Sequence, residues 1–137
     1  MKYLLNILSI VLFVAGVALA KDKAADKRFV AAIDKDGYQR VEMTAGEYYF
    51  DPAAVVVKVN VPVELTIKKA GGITPHNLTM RAPEADLDFT IDLSSETKKV
   101  SFMATRTGSY PFECSKKLLF FKSHKERGMH GVLEVVE

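Results

Sequence analysis

From Val41 onward, apolar side chains recur at every second position, and that period confines the chain to strands. Val55, Val57 and Val59 alternate with Val56 and Lys58, and Val63, Leu65 and Ile67 with Glu64, Thr66 and Lys68. The same pattern runs through Phe89, Ile91 and Leu93, through Val100 and Phe102, and through Leu133 and Val135 around Glu134. A period of two means strands with one face buried and one face wet. Asp51-Pro52, Asn60-Val61-Pro62, Gly71-Gly72, Ala82-Pro83 and Thr107-Gly108 fall between the runs as turn signals. With no helical period and no internal repeat, residues 40–137 are expected to form one all-β domain, an antiparallel β-sandwich or barrel.

The two segments before it differ in character. Lys2 opens the chain, residues 4–17 are almost unbroken apolar sequence, and Ala18-Leu19-Ala20 offers small residues at a cleavage site. Residues 1–20 therefore read as a secretory signal peptide. The competing reading is an uncleaved membrane anchor, but the run is near the lower limit for crossing a bilayer. Lys21-Asp22-Lys23, following at once, favours cleavage. Residues 21–39 are charged and alanine-rich, with Asp36-Gly37 as a turn signal, and form an N-terminal tail or a short first element. The chain is thus expected in the periplasm or secreted, with no stable membrane insertion after cleavage, as a monomer.

Export changes the meaning of the single cysteine, Cys114. A disulfide framework needs pairs, so Cys114 is buried and inert, paired between chains, or bound to a metal. The formal net charge of the 137 residues is +2, which gives no reason to expect nucleic acid as a partner. The charge is uneven, however. Lys116, Lys117, Lys122, Lys125 and Arg127 face only Glu126 within residues 116–127.

That basic segment lies among the groups that carry chemistry. Cys114, His124, Met129 and His130 fall within seventeen residues of one another, and the third histidine, His76, stands upstream in Thr-Pro-His-Asn. A thiolate, two imidazoles and a thioether form the donor set of a mononuclear copper electron-transfer site. The strand period turns Cys114 to the same face as Tyr110 and Phe112, and His76 to the same face as Leu78 and Met80. Both point inward. Taken alone, His76 reads first as a core histidine with its hydrogen bonds satisfied, and only second as a ligand. Zinc would accept the same ligands but performs no redox chemistry.

Over about residues 49–136 the chain resembles the cupredoxins, the blue copper family that includes plastocyanin, azurin and pseudoazurin. Phe50-Asp51-Pro52, Val56-Val57-Lys58-Val59 and Pro62-Val63-Glu64-Leu65 are similar to the family's early strands. Asn60 stands where a glycine is usual, and asparagine tolerates the same left-handed backbone. Pro75-His76-Asn77 resembles the segment that supplies the first copper histidine, with Asn77 in the position that ties the two ligand loops together. Phe112-x-Cys114, His124, Met129 and Gly131 resemble the C-terminal ligand loop. The resemblance implies a Greek-key sandwich and one copper ion, cycling between Cu(I) and Cu(II), on His76, Cys114, His124 and Met129. Nine residues separate Cys114 from His124, where the family's simple members have two to four. His130 therefore competes with His124, although its parity in the last strand is opposite to that of Met129, Leu133 and Val135.

The function implied is single-electron transport between larger redox proteins, without enzymatic turnover. The alternative is copper handling, as a carrier, chaperone or resistance protein. A binuclear copper centre is excluded, because it needs two cysteines. Within the nine-residue insert, Leu118, Leu119, Phe120 and Phe121 stand between Lys116-Lys117 and Lys122. Either this loop packs on itself and buries about half of them, or it is a docking patch, apolar at its centre and basic at its rim, for an acidic redox partner.

Overall fold

A computed structural model of the chain describes residues 28–137. The expected signal peptide, and the first residues of the tail after it, lie outside the described residues. Among the described residues, ten strands form two sheets packed face to face. One contains six strands in the order β1-β4-β10-β9-β6-β7, and the other four in the order β3-β2-β5-β8. In chain order these are β1 (Arg28–Val30), β2 (Gln39–Gly46), β3 (Tyr49–Asp51), β4 (Ala54–Lys58), β5 (Val63–Lys69), β6 (His76–Ala82), β7 (Leu87–Leu93), β8 (Lys98–Phe102), β9 (Gly108–Glu113) and β10 (His130–Val136). Among the described residues the only helical element is one 3₁₀ turn, Pro83–Ala85. None of them forms a helix long and apolar enough to cross a membrane.

The sandwich is the expected architecture, but its sheets are mixed rather than purely antiparallel. β1 and β4, β4 and β10, and β2 and β5 run parallel. The cause lies in the corner after β3. Pro52 has no N–H to continue a ladder, so the chain leaves the four-stranded sheet there, adds β4 to the other sheet, and returns with β5 beside β2.

Alternation builds the core. Val41, Met43, Leu65 and Ile67 from one sheet meet Val55, Val57, Leu78, Met80, Phe112, Leu133 and Val135 from the other, all buried. Each large side chain so removed from water contributes about 1.5–3 kcal/mol. The wet-face expectation fails at Val56, which is buried as well. In β6, Asn77 and Thr79 are buried beside His76, Leu78 and Met80, Asn77 bonded to Ser115 and Thr79 to Thr90 Oγ1 at 3.1 Å. Asn60 does occupy the left-handed region, with φ of 57°.

A candidate metal centre at one end of the sandwich

Register places the candidate ligands at one end. β6 begins at His76, Cys114 follows the last residue of β9, and β10 begins just after Met129. Because Met80 pairs with Phe112 and Gly131 with Phe112, the start of β6 and the loop between β9 and β10 converge. The Cys114 N–H donates to the Met129 carbonyl at 3.0 Å and extends that ladder into the loop. Gly131 permits the approach: a Cβ there would lie 2.3 Å from the Phe112 ring and 2.4 Å from the Ala53 carbonyl oxygen.

His76, Cys114 and His124 are brought together, and each is buried. Cys114 Sγ lies 3.4 Å from His124 Nδ1 and 3.9 Å from His76 Nδ1, and the two Nδ1 atoms are 3.1 Å apart. Met129 is completely buried at the end of the same loop. His130 is not part of the cluster; it is exposed, opposite Glu113 at the start of β10.

Asn77 clasps the two segments. Its Oδ1 accepts from the Ser115 N–H at 2.8 Å, its Nδ2 donates to Ser115 Oγ at 2.9 Å, and its own N–H points at Cys114 Sγ at 3.4 Å.

His124 reaches the cluster because the insert is pinched off at its base. The His124 N–H donates to the Lys116 carbonyl at 3.0 Å, so the residues between bulge outward and the ligand loop closes as though it were short. Ser123 then opens a tight turn, closed by the paired bonds of a capping box. Its Oγ accepts from the Glu126 N–H at 3.2 Å, and Glu126 Oε2 accepts from the Ser123 N–H at 2.7 Å. The Ser123 N–H and, at 2.8 Å, the Ser123 hydroxyl both donate to Glu126 Oε2 and hold that carboxyl below its ordinary range. Gly128, at φ of 100°, ends the turn, and the Met129 N–H returns to the His124 carbonyl at 3.0 Å.

A third segment, the tip of the β2–β3 hairpin, completes the enclosure. Tyr48, at φ of 62°, stands edge-on to His124 at 5.1 Å and to His76 at 6.0 Å between ring centroids. The Arg127 guanidinium lies over the Tyr48 ring at 4.7 Å. Beside Tyr48, Glu47 Oε1 is 3.8 Å from His76 Nε2. Both imidazoles titrate below their ordinary value. Burial is the main cause for each, followed by the neighbouring His124 for His76 and by Arg127 for His124. Near neutral pH both rings are uncharged, with lone pairs available to a metal.

The insert does not pack on itself. Leu118, Leu119, Phe120 and Phe121 are 60, 75, 100 and 58 % exposed. A turn closed by the Phe121 N–H on the Leu118 carbonyl holds them outward. Ile73, from the loop before β6, is fully exposed, and with Lys116, Lys117 and Leu118 it lines a groove against His124. The basic rim is thinner than its lysine count suggests. Lys116 is paired with Asp92 at 2.8 Å and Lys125 with Glu113 at 2.5 Å. Lys117 and Lys122 are both exposed.

Sequence reasoning missed Glu47, Tyr48, Ser115 and Ile73, and read Arg127 only as part of a basic segment. Gly46-Glu47-Tyr48, between two apolar strand patterns, carried a turn signal, and Ser123-x-x-Glu126 is a legible capping box. Nothing local in the sequence says that the hairpin tip meets the histidines.

No protein-family model matches the chain, and no curated protein matches it significantly. Solved structures do. The metal-binding domain of the Cu(I)-exporting P-type ATPase CopA from Streptococcus pneumoniae D39, with Cu(I), is similar at a TM-score of 0.60 and 20 % identity, over 80 % of this chain and 95 % of that one. Dithionite-reduced auracyanin from Roseiflexus castenholzii is similar at 0.59 and 16 % identity, over 78 % and 99 %. Auracyanin A, a blue copper protein from Chloroflexus aurantiacus, is similar at 0.54 and 21 % identity, over 73 % and 100 %. At these identities the likeness establishes the fold.

Proposed function

We propose that this chain, which has the cupredoxin fold, is an exported mononuclear type 1 copper protein that carries single electrons between larger redox proteins. The observation that carries the reading is the convergence of Cys114 Sγ and two histidine Nδ1 atoms in one buried cluster. The donors suit the ion. Thiolate and thioether favour Cu(I), imidazole favours Cu(II), and a mixed set satisfies neither state fully. His76, Cys114 and His124 would hold the ion as strong ligands, and Met129 would be its weak fourth donor. Copper, when bound, supplies a one-electron change of oxidation state.

The protein's part is to hold its ligands still. Asn77 fixes the loop at Ser115, the Lys116–His124 bond fixes the second imidazole, and β6 fixes the first. Rigid ligands lower the reorganisation that accompanies each electron, and bonds around the ligands do as much as the ligands themselves. A binding role without turnover accords with this closed set. For docking, the exposed knuckle of Leu118, Leu119, Phe120, Phe121 and Ile73 is apolar, with Lys117 and Lys122 at its edge. Such a surface suits a partner that is acidic around an apolar centre.

Titrating Cu(II) into purified protein tests the reading. An intense thiolate-to-copper band in the visible spectrum, abolished in Cys114→Ser, is the expected result. A copper-loaded protein without that band would overturn it. One observation favours a second reading, copper handling: the similar solved structures include the metal-binding domain of a Cu(I)-exporting ATPase as well as auracyanins. A reversible couple that exchanges electrons with a redox protein supports relay. Transfer of Cu(I) to a partner, with no electron exchange, supports handling.

A further inference from the structure

Among the described residues, His76 Nε2 is the one buried side-chain nitrogen or oxygen without a hydrogen-bond partner. An N–H in that position costs about 1–3 kcal/mol if left unmet. It faces the tip of the β2–β3 hairpin, where Glu47 Oε1 lies at 3.8 Å. That is longer than a hydrogen bond, and the Glu47 side chain is half-exposed. Its other oxygen accepts from Thr74 Oγ1 at 3.4 Å, which keeps the carboxylate over the loop leading to His76. Gly72, at φ of 73°, leaves room for it; a Cβ there would stand 2.6 Å from Glu47 Oε1.

We infer that Glu47 is the positioning residue of the first histidine: its carboxylate accepts the Nε2–H of His76 and so fixes the Nδ1 lone pair toward the metal. The proton arrangement follows from the distances. With its proton on Nε2, His76 accepts at Nδ1 from the Nδ1–H of His124 across 3.1 Å in the metal-free protein. A carboxylate behind a ligating histidine fixes the tautomer, raises the ring's basicity and adds negative charge near the metal. A thiolate and two neutral imidazoles leave a Cu(II) site with one net positive charge and a Cu(I) site with none. Glu47 therefore favours the oxidised state. The consequence for copper rests on the proposed function, whereas the tautomer does not.

Three variants separate hydrogen bond from charge. Ring ¹⁵N spectra of metal-free wild type should show His76 as the Nε2–H tautomer, and Glu47→Ala should mix the two tautomers. Glu47→Ala should also weaken Cu(II) binding, measured by chelator competition, about 10–100-fold. Glu47→Gln can still accept the Nε2–H, so it should keep the tautomer while raising the reduction potential. A tenfold relative loss of Cu(II) over Cu(I) affinity corresponds to about 59 mV for a one-electron couple. Glu47→Asp, with charge kept and reach shortened, should fall between. An Nδ1–H tautomer at His76 in wild type, or wild-type affinity and potential in both Glu47→Ala and Glu47→Gln, would overturn the assignment. A wild type that takes up copper without the thiolate band fails the proposed function instead, and the tautomer measurement still decides the role of Glu47.

Discussion

Each end of the sandwich buries a polar side chain at the start of a strand, Gln39 in β2 and His76 in β6. Gln39 is 0 % exposed and His76 1 %. Gln39 is fully matched: its Oε1 accepts from the Lys58 N–H at 2.6 Å, and its Nε2 donates to the Lys58 and Val61 carbonyls at 3.2 and 3.3 Å. It ties β2, in one sheet, to β4 and the following turn, in the other. His76 has an Nε2 with no partner and an Nδ1 crowded among an imidazole and a thiol. A buried polar group that closes its hydrogen bonds internally specifies structure. One that leaves them open is held ready for something else.

The contrast makes a direct prediction at the matched end. Gln39→Leu keeps the volume roughly constant but strands the Lys58 N–H and two carbonyls. It should destabilise the metal-free protein by about 2–3 kcal/mol, read by denaturant unfolding, and leave the thiolate band of copper-loaded protein unchanged. A variant as stable as wild type would mean that water takes over the role of Gln39, and the end would not be closed in the sense claimed. Asn77→Ala at the other end should cost less, about 1–2 kcal/mol, since two hydrogen bonds to Ser115 are lost where solvent can partly replace them. Here the larger effect should fall on copper, with release accelerated because the Cys114 loop is no longer clasped to β6. Stability loss without faster release would make Asn77 a fold residue like Gln39.

How legible these features were in the sequence depended on how local their causes are. Val63, Leu65 and Ile67 declared their face through the pleat alone, and so did Tyr110, Phe112 and Cys114. Val56, Asn77 and Thr79 did not, because burial on both faces depends on which strands become neighbours. His76, Cys114, His124 and Met129 were legible as a donor set. The nine-residue insert obscured which histidine lies beside Cys114 and His76; a hydrogen bond between Lys116 and His124 pinches the insert off at its neck and brings His124 there. Glu47 and Tyr48 could not be read at all. Their contact with the histidines is made across the sandwich, between a hairpin of one sheet and a strand start of the other.

A smaller effect should follow from changing His76 itself. His76→Leu removes the unmatched Nε2, which is favourable, and takes away the partner of His124 Nδ1, which is not. His124 keeps Cys114 Sγ at 3.4 Å. The two changes oppose one another, so metal-free stability should stay within about 1 kcal/mol of wild type while the copper band disappears. A loss as large as that of Gln39→Leu would show that His76 serves the fold after all.

The smallest expected effect on stability lies outermost, in the insert. Phe120 and Phe121 are 100 and 58 % exposed, so Phe120→Ser combined with Phe121→Ser should shift the unfolding free energy by no more than about 0.5 kcal/mol. If the knuckle is the docking surface, the same variant should weaken association with the redox partner at every salt concentration, because apolar contact is not screened. Lys117→Gln with Lys122→Gln should behave differently: slower association at low salt, converging on wild type as the screening length drops below about 10 Å near 0.1 M. Lys116→Gln separates the rim from the fold. Lys116 is paired with Asp92 at 2.8 Å, so its removal should change association less than that of Lys117 or Lys122. Rates measured by stopped flow against ionic strength distinguish these outcomes. Wild-type rates in both the phenylalanine and the lysine variants would place docking elsewhere, and the exposed knuckle would then have no part in electron exchange.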